Sequence, residues 1–98
     1  MNKPPAQIKE FTVIEYGFLP DPILPTGYVL PPGGGKVLEP MQNFAACSSN
    51  GGEGFYMLCC TPDWRYMTYC YEESLSRAKD QVQVEFGQRI DLWHKLNT

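Results

Sequence analysis

The sequence predicts an α+β domain in which a small antiparallel sheet of three to five strands is followed by a C-terminal amphipathic helix and a short final helical piece. Three observations lead to this fold class. Two runs of aromatic and β-compatible residues flank a turn at Pro62 and Asp63, an amphipathic stretch follows them, and the strands precede the helix instead of alternating with it. Because 98 residues with 43% hydrophobic content can bury one core and not two, residues 1–98 are expected to form a single domain.

The first part of the chain predicts one strand and a proline-rich connection. Residues 1–7 contain two prolines and few apolar groups, so they are expected to be a flexible extension. Residues 8–16 are dense in β-branched and aromatic types and alternate in part, which predicts the first strand. The prolines between positions 20 and 32 each remove a backbone donor, so this stretch holds at most an edge strand around residues 27–30.

The middle of the chain predicts a loop and then a hairpin. Residues 41–47 are compatible with either a helical turn or a strand, and the glycine-rich residues 48–54 predict a loop. Pro62 and Asp63 favour the central positions of the hairpin turn. Both faces of the hairpin carry apolar side chains, which favours a central pair of strands over an exposed edge. The expected cross-strand pairs are Leu58 with Met67, Tyr56 with Tyr69, and Cys59 with Tyr66.

The last third predicts an amphipathic helix over about residues 74–86. Ser74 can accept hydrogen bonds from free backbone amides at its start, and Gly87 suits its end. A stripe at helical spacing is expected to cover one face of the sheet, and it consists of Leu75, Ala78, Val82 and Phe86. The short helical piece over residues 90–96 is expected to return three apolar side chains to the same core, namely Ile90, Trp93 and Leu96.

Composition and charge exclude several classes of function. Eleven acidic against eight basic side chains give a net charge of −3, which disfavours a surface that neutralises nucleic-acid phosphates. No apolar segment approaches the length that spans a bilayer or has the form of a secretory signal, so we expect no membrane association and a cytoplasmic location. In that location the four cysteines are expected to be reduced packing residues, and they are Cys47, Cys59, Cys60 and Cys70.

Metal and catalytic sites are not expected. The chain has no CxxC pair and a single histidine, His94, so the usual zinc spacings are missing. Cys59 and Cys60 are neighbours in a strand-like run, so their side chains point to opposite faces. Catalysis needs a nucleophile or metal, an acid or base, and an orienting group, and the sequence pattern supplies no such set. We therefore predict no metal, no other cofactor and no enzymatic activity.

A pattern near the C-terminus carries a resemblance to known proteins. Asp63 and Trp64 are followed by a short strand and then by ESLSRAKDQVQVEFG at residues 73–87. This resembles small, mostly uncharacterised bacterial α+β proteins that end in a helix of the pattern ESLEEAKxQAExEFG, some of which are immunity proteins encoded beside toxins. The resemblance covers about a quarter of the chain, and the family has alanine and glutamate where this chain has Val82 and Gln83. It implies a protein partner, such as a toxin encoded nearby.

The aromatic side chains of the hairpin favour a binding function. Tyrosine and tryptophan are frequent interface anchors, and one short helix cannot cover all of these rings. We therefore predict a small protein-binding module, of immunity or inhibitor type, that acts by surface complementarity and can form a homodimer. The candidate interface residues are Trp64, Tyr66, Tyr69, Tyr71, Glu72 and Glu73.

An alternative function places a pocket between the hairpin of residues 55–71 and the C-terminal helix. Such a pocket would bind a small molecule or support cysteine-dependent chemistry, with Cys70, Tyr69 and His94 as its polar groups. This alternative predicts that these groups converge on one concave site.

Overall fold

The chain folds as an α+β domain, as predicted, with an antiparallel sheet and one helix after its main strands. The computed structural model describes residues 3–25, 39–49 and 51–96. Within these residues the sheet has six strands, against three to five predicted, because two two-residue strands add to its edge. The elements are β1 (Gln7–Ile8), β2 (Phe11–Ile23), β3 (Met41–Ser49), β4 (Phe55–Cys60), β5 (Tyr66–Glu72), α1 (Leu75–Phe86) and β6 (His94–Lys95).

The strands form an antiparallel meander. Strands β1 to β5 lie in chain order across the sheet, and β6 returns to pair with β2 on the edge that β1 also occupies. Strand β5 is the opposite edge of the described sheet. Within the described residues the prediction that the hairpin forms a central pair of strands is therefore wrong for β5, because curling of the sheet and its own aromatic side chains cover the second apolar face of the hairpin.

The packed part of the chain begins earlier than the sequence predicts. Pro4 is buried, and the carbonyl of Ala6 accepts a hydrogen bond from the amide of Val13 at 2.9 Å. Gln7 already pairs in β1. The described part of residues 1–7 therefore packs along β2, in contrast to the flexible extension expected from its prolines.

Strand β2 is longer than the predicted strand over residues 8–16. A two-residue turn with Lys9 at a φ of 55° separates β1 from β2. Strand β2 then continues past Pro20 through an irregularity in its pairing with β3. There the side-chain amide of Gln42 donates to the carbonyls of Leu19 and Pro20 at 3.0 and 3.1 Å, so a side chain replaces part of the backbone ladder.

The connection between β2 and β3 lies largely outside the described residues, and so does the edge strand expected around residues 27–30. Residues 41–47, for which a helical turn and a strand were both open, belong to β3. The loop predicted over residues 48–54 starts later, because Ser48 and Ser49 still pair with β2.

The hairpin of β4 and β5 turns at Pro62 and Asp63 as predicted, but its register differs from the expected one. Trp64 follows the turn in the left-handed region, at a φ of 66°, and adds one residue. A bulge in β5 opposite Cys59 and Cys60 adds a second. The observed pairs are Leu58 with Tyr69, Tyr56 with Tyr71, Cys59 with Thr68, and Cys60 with Tyr66.

The helix has the ends and the buried stripe that the sequence predicts. The Ser74 hydroxyl accepts a hydrogen bond from the amide of Arg77 at 3.1 Å, and Gly87 ends the helix at a φ of 71°. The side chains at Ala78, Val82 and Phe86 are buried and Leu75 is partly buried, whereas the burial of Glu85 was not expected. No helix of the described residues is long and apolar enough to cross a membrane.

The final segment is a strand and not the helical piece predicted over residues 90–96. Strand β6 pairs with β2, and the amide of Leu96 donates to the carbonyl of Ile14 at 3.0 Å. The backbone groups at the edge of β2 favour this pairing, because an extended segment can satisfy them and a helix cannot. Ile90 and Trp93 pack on the helix-side core as expected, whereas Leu96 packs on the opposite face.

The two faces of the sheet carry two apolar clusters. Helix α1 packs over β3, β4 and β5. The largest buried members of the helix-side cluster are Leu19, Met41, Phe44, Met57, Val82 and Phe86. The opposite cluster has small side chains at its floor and rings above them, and it includes Ile8, Phe11, Val13, Ala45, Cys47, Leu58 and Cys60. The second face is thus covered mainly by its own aromatic side chains.

Candidate functional site

Five rings form a continuous group on the sheet face that α1 does not cover. We call this group the aromatic cluster, and it consists of Phe11, Tyr56, Tyr66, Tyr69 and Tyr71. Neighbouring ring centroids lie between 4.8 and 6.3 Å apart, and the rings are tilted or edge-on. These distances and angles are the ones at which aromatic side chains attract one another.

The backbone pairing brings these rings together. Tyr56 and Tyr71 are direct cross-strand partners, and their ring centroids are 5.3 Å apart. The bulge in β5 places Tyr66 on the same face as Tyr69. Phe11 reaches the group from β2, three strands away in the sheet, with its ring centroid 5.9 Å from that of Tyr69. Curling of the sheet is therefore what joins the two ends of the cluster.

The outer part of the aromatic cluster is open to solvent. Tyr69 is 46% exposed and Tyr71 is 50% exposed, whereas Phe11 is buried. The Tyr71 ring also leaves no room for a side chain at Gly54, whose φ of 85° favours glycine. The cluster thus has a buried base and two exposed tyrosines whose hydroxyls and ring faces are accessible to a partner.

Charged groups lie at one end of the cluster. The Lys9 ammonium lies 5.7 Å from the centroid of the Tyr66 ring, within the range of a cation–π contact. Burial raises the pKa of the Tyr66 hydroxyl, and Tyr69 and Glu10 raise it further. Tyr66 therefore stays neutral and can donate a hydrogen bond throughout the physiological pH range.

The predicted interface residues separate into two groups. Tyr66, Tyr69 and Tyr71 belong to the aromatic cluster. Trp64 instead packs against Tyr16, with the two ring centroids 6.2 Å apart. Two carboxylates lie elsewhere: Glu72 pairs with Phe55 on the helix side, and Glu73 follows the end of β5.

Two rings of the cluster, Phe11 and Tyr56, were absent from the prediction. The alternation of Tyr56, Tyr69 and Tyr71 in the hairpin could have indicated Tyr56, whereas only the long-range pairing places Phe11.

The structure does not bring together the groups of the alternative pocket. Cys70 lies on the helix side of the sheet, where its thiol contacts the Glu85 carboxylate. His94 lies on the opposite face, where its ring stacks on Tyr16 with centroids 5.1 Å apart. The sheet therefore separates the Cys70 thiol from the only histidine.

The cysteine thiols are free, and their pKa values are raised. Burial, followed by the hydrogen bond and charge of Glu85, raises the pKa of Cys70 to about 12. Burial also raises the pKa of Cys60 to about 12 and raises those of Cys47 and Cys59. Because the thiolate is the reactive form of cysteine, these thiols are poor nucleophiles at neutral pH.

Glu85 gives a pH-dependent prediction. Its pKa is raised, first by burial, so the folded state favours the protonated carboxyl more than the unfolded state does. The stabilisation from this group is complete below the unfolded pKa of about 4.3 and is lost as the pH rises through the raised folded pKa. Glu85→Gln, which keeps the shape of the neutral acid, should therefore unfold at higher urea concentration than the wild type at pH 7. The difference should shrink at pH 4.

The control for Glu85→Gln is Glu73→Gln, which neutralises an exposed carboxylate. This control should leave the urea midpoint nearly unchanged at both pH values. A Glu85→Gln protein that is less stable than the wild type at pH 7 would contradict the assignment of Glu85 as a group penalised by burial.

Two concavities of the described residues lie away from the junction between the hairpin and α1. A cleft of about 220 Å³ lies between α1 and residues 89–93, with Lys79 and Trp93 in its wall. An open groove of about 480 Å³ lies at the turn end of the sheet, walled by Pro22, Pro40 and Pro62. Within the described ranges, no group of three histidine, cysteine or acidic side chains is arranged to hold a metal ion.

Searches against protein-family models, curated proteins and solved structures found no match to this chain. The aromatic cluster combines exposed rings with a buried base, and this makes it the candidate contact surface of the described residues.

Proposed function

We propose that this protein is a small cytoplasmic protein-binding module that uses the aromatic cluster as its contact surface. The observation that carries the proposal is the exposure of Tyr69 and Tyr71 at the top of a packed group of rings. Tyrosine at such a position buries a large area on binding and offers a hydroxyl for hydrogen bonding. It also loses few torsional degrees of freedom when a partner covers it.

The base of the cluster supports this role because it holds the rings in place before a partner arrives. Phe11 is 5% exposed, and Leu58 and Cys60 beneath the rings are fully buried. Rings that are already packed against a rigid floor have less conformational entropy to lose on association, which favours affinity. The surface is thus pre-organised and does not need to be ordered by the partner.

The charge of the chain favours a particular kind of partner. The protein carries a net charge of −3, and the Tyr66 end of the cluster holds one acidic and one basic residue, Glu10 and Lys9. A partner that presents an apolar patch beside basic residues would complement this surface in both shape and charge. Together with the immunity-type resemblance of the helix pattern at residues 73–87, this supports a toxin encoded by a neighbouring gene as the partner, which the protein would inhibit by covering its surface.

The test is binding of the purified product of the neighbouring gene, measured by calorimetry with wild type, Tyr69→Ala and Val84→Ala. Tyr69→Ala should weaken binding by about 30-fold or more, which corresponds to about 2 kcal/mol for an interface anchor. Val84 is exposed on α1, on the other side of the molecule, so Val84→Ala should bind as the wild type does. Tight binding that is unchanged in Tyr69→Ala and in Tyr71→Ala would refute the assignment of the surface. Absence of binding by the wild type would refute the assignment of the partner.

A further inference from the structure

The two edges of the sheet differ in whether their backbone groups pair with another strand. Strands β1 and β6 both pair with β2 and so cover much of its outer edge. The outer edge of β5 pairs with no strand among residues 3–25, 39–49 and 51–96. Its backbone amides and carbonyls on that side therefore need either water or another strand.

Strand β5 has few of the features that usually prevent edge-to-edge pairing. Its seven residues contain no proline and no basic side chain, and their only charge is Glu72 at the end. The bulge opposite Cys59 and Cys60 disturbs only the start of the strand. The regular part of β5 is therefore residues 68–72, and its midpoint is Cys70.

We infer that two copies of this chain associate by antiparallel pairing of their β5 strands around a two-fold axis beside Cys70. Such an interface uses the same surface on both copies, so it needs a strand that complements itself. With the axis at Cys70, Tyr69 lies opposite Tyr71 of the partner subunit, and the same pair occurs again on the other side of the axis. This inference does not rest on the proposed function.

The side chains along β5 are compatible with this register on both faces of the sheet. On the aromatic face, the two most exposed rings of the cluster become cross-strand aromatic pairs, which stabilise antiparallel strands. On the helix side, Cys70 lies opposite Cys70 of the partner subunit, and Glu72 lies opposite Thr68 of the partner subunit. No like charges are placed opposite each other, so the pairing carries no direct electrostatic penalty.

The helices leave room for the second copy. Helix α1 packs over β3, β4 and β5, with β4 in the middle. Two β4 strands would be separated by three strand spacings, about 14 Å, which exceeds the helix diameter of about 10 to 12 Å. The two helices can therefore lie side by side on one face of a continuous sheet, and the two aromatic clusters lie together on the other.

The size of the interface predicts a reversible dimer. A single strand pair with four tyrosines buries less than the roughly 1,200 to 2,000 Å² that is typical of a stable interface. Light scattering of the wild type should therefore show the mass rising from monomer towards dimer between about 1 μM and about 1 mM. A wild type that remains monomeric at the upper end of this range would overturn the inference.

Two charge variants test the pairing itself. The double variant Tyr69→Lys with Tyr71→Lys and the double variant Tyr69→Glu with Tyr71→Glu each place like charges opposite each other, so each alone should be monomeric. Mixed in equal amounts, they should form a heterodimer, because each lysine then lies opposite a glutamate. Circular dichroism confirms that both variants are folded. Dimerisation of either variant alone, or a monomeric mixture, would overturn the inference.

A short bismaleimide cross-linker tests the position of the axis. Cys47, Cys59 and Cys60 are at most 1% exposed, so in the folded protein only Cys70 is available for cross-linking between copies. Because the raised pKa of Cys70 slows this reaction at neutral pH, the reaction time is the one in which a monofunctional maleimide labels Cys70 fully. In that time the wild type should give a covalent dimer under native conditions, and Cys70→Ser should give none. A wild type that dimerises by light scattering but yields no Cys70 cross-link would place the axis elsewhere and overturn the proposed register.

Discussion

Replacing Phe86 by alanine is expected to lower the free energy of unfolding by about 3 to 5 kcal/mol. The Phe86 side chain is 2% exposed, and its ring meets Phe44 edge-on with centroids 5.0 Å apart. Truncation removes this contact and leaves a cavity between α1 and β3. Because small domains are stable by only about 5 to 15 kcal/mol, the loss is a large part of the total. Urea denaturation followed by circular dichroism measures it.

The matched control for Phe86 is Val84→Ala on the same helix. Val84 is 65% exposed, so its truncation should change the free energy of unfolding by no more than about 0.5 kcal/mol. If Phe86→Ala and Val84→Ala unfold at the same urea concentration, α1 is not anchored to the sheet through the Phe86 ring.

The helix could be predicted well because its signals are local. The capping hydroxyl of Ser74, the left-handed end at Gly87 and the spacing of the apolar stripe all lie within one short segment. None of these signals depends on what the rest of the chain does. The ends and the buried face of α1 therefore agree with the structure, apart from the buried carboxyl of Glu85.

The hairpin register could not be predicted, because it depends on two single-residue features without a clear sequence signal. Trp64 occupies a left-handed position that glycine or asparagine normally takes, and the bulge in β5 has no glycine to mark it. Each extra residue reverses the faces of the following side chains. After both extra residues, Tyr69 and Tyr71 lie on the face that the predicted register gives them. Between the two features the faces are reversed, so Met67 lies on the helix side and Tyr66 lies with the other tyrosines.

The candidate site could be predicted only in part. Tyr69 and Tyr71 share a face because they alternate within one strand, but Tyr66 joins them only through the unpredicted change of register. Phe11 joins them through curling of a sheet whose strand order the sequence does not reveal. The same limit applies to the final segment. The spacing of Ile90 and Trp93 fits a helix, yet backbone groups at the edge of a strand far away in the sequence favour an extended conformation.

Gly17→Ala is expected to disturb the docking of the C-terminal segment and to lower the free energy of unfolding by about 1 to 3 kcal/mol. A Cβ atom at position 17 would lie 2.8 Å from Cγ2 of Ile90 and 3.2 Å from Cε3 of Trp93. The segment would have to move away from β2, which weakens the hydrogen bond from the Leu96 amide to the carbonyl of Ile14. Urea denaturation measures the stability, and hydrogen exchange of the Leu96 amide should report faster opening.

A double-mutant cycle separates this collision from a general effect of alanine in β2. Ile90→Ala removes the Cγ2 atom that the new side chain would meet, at the cost of some buried apolar surface. In that background Gly17→Ala should cost at least about 0.5 kcal/mol less than it does in the wild type, because one of the two obstacles is gone. Additive costs would mean that Ile90 does not hold the segment against Gly17. In that case only the Trp93 ring and the hydrogen bonds between β6 and β2 would hold the C-terminal segment close to Gly17.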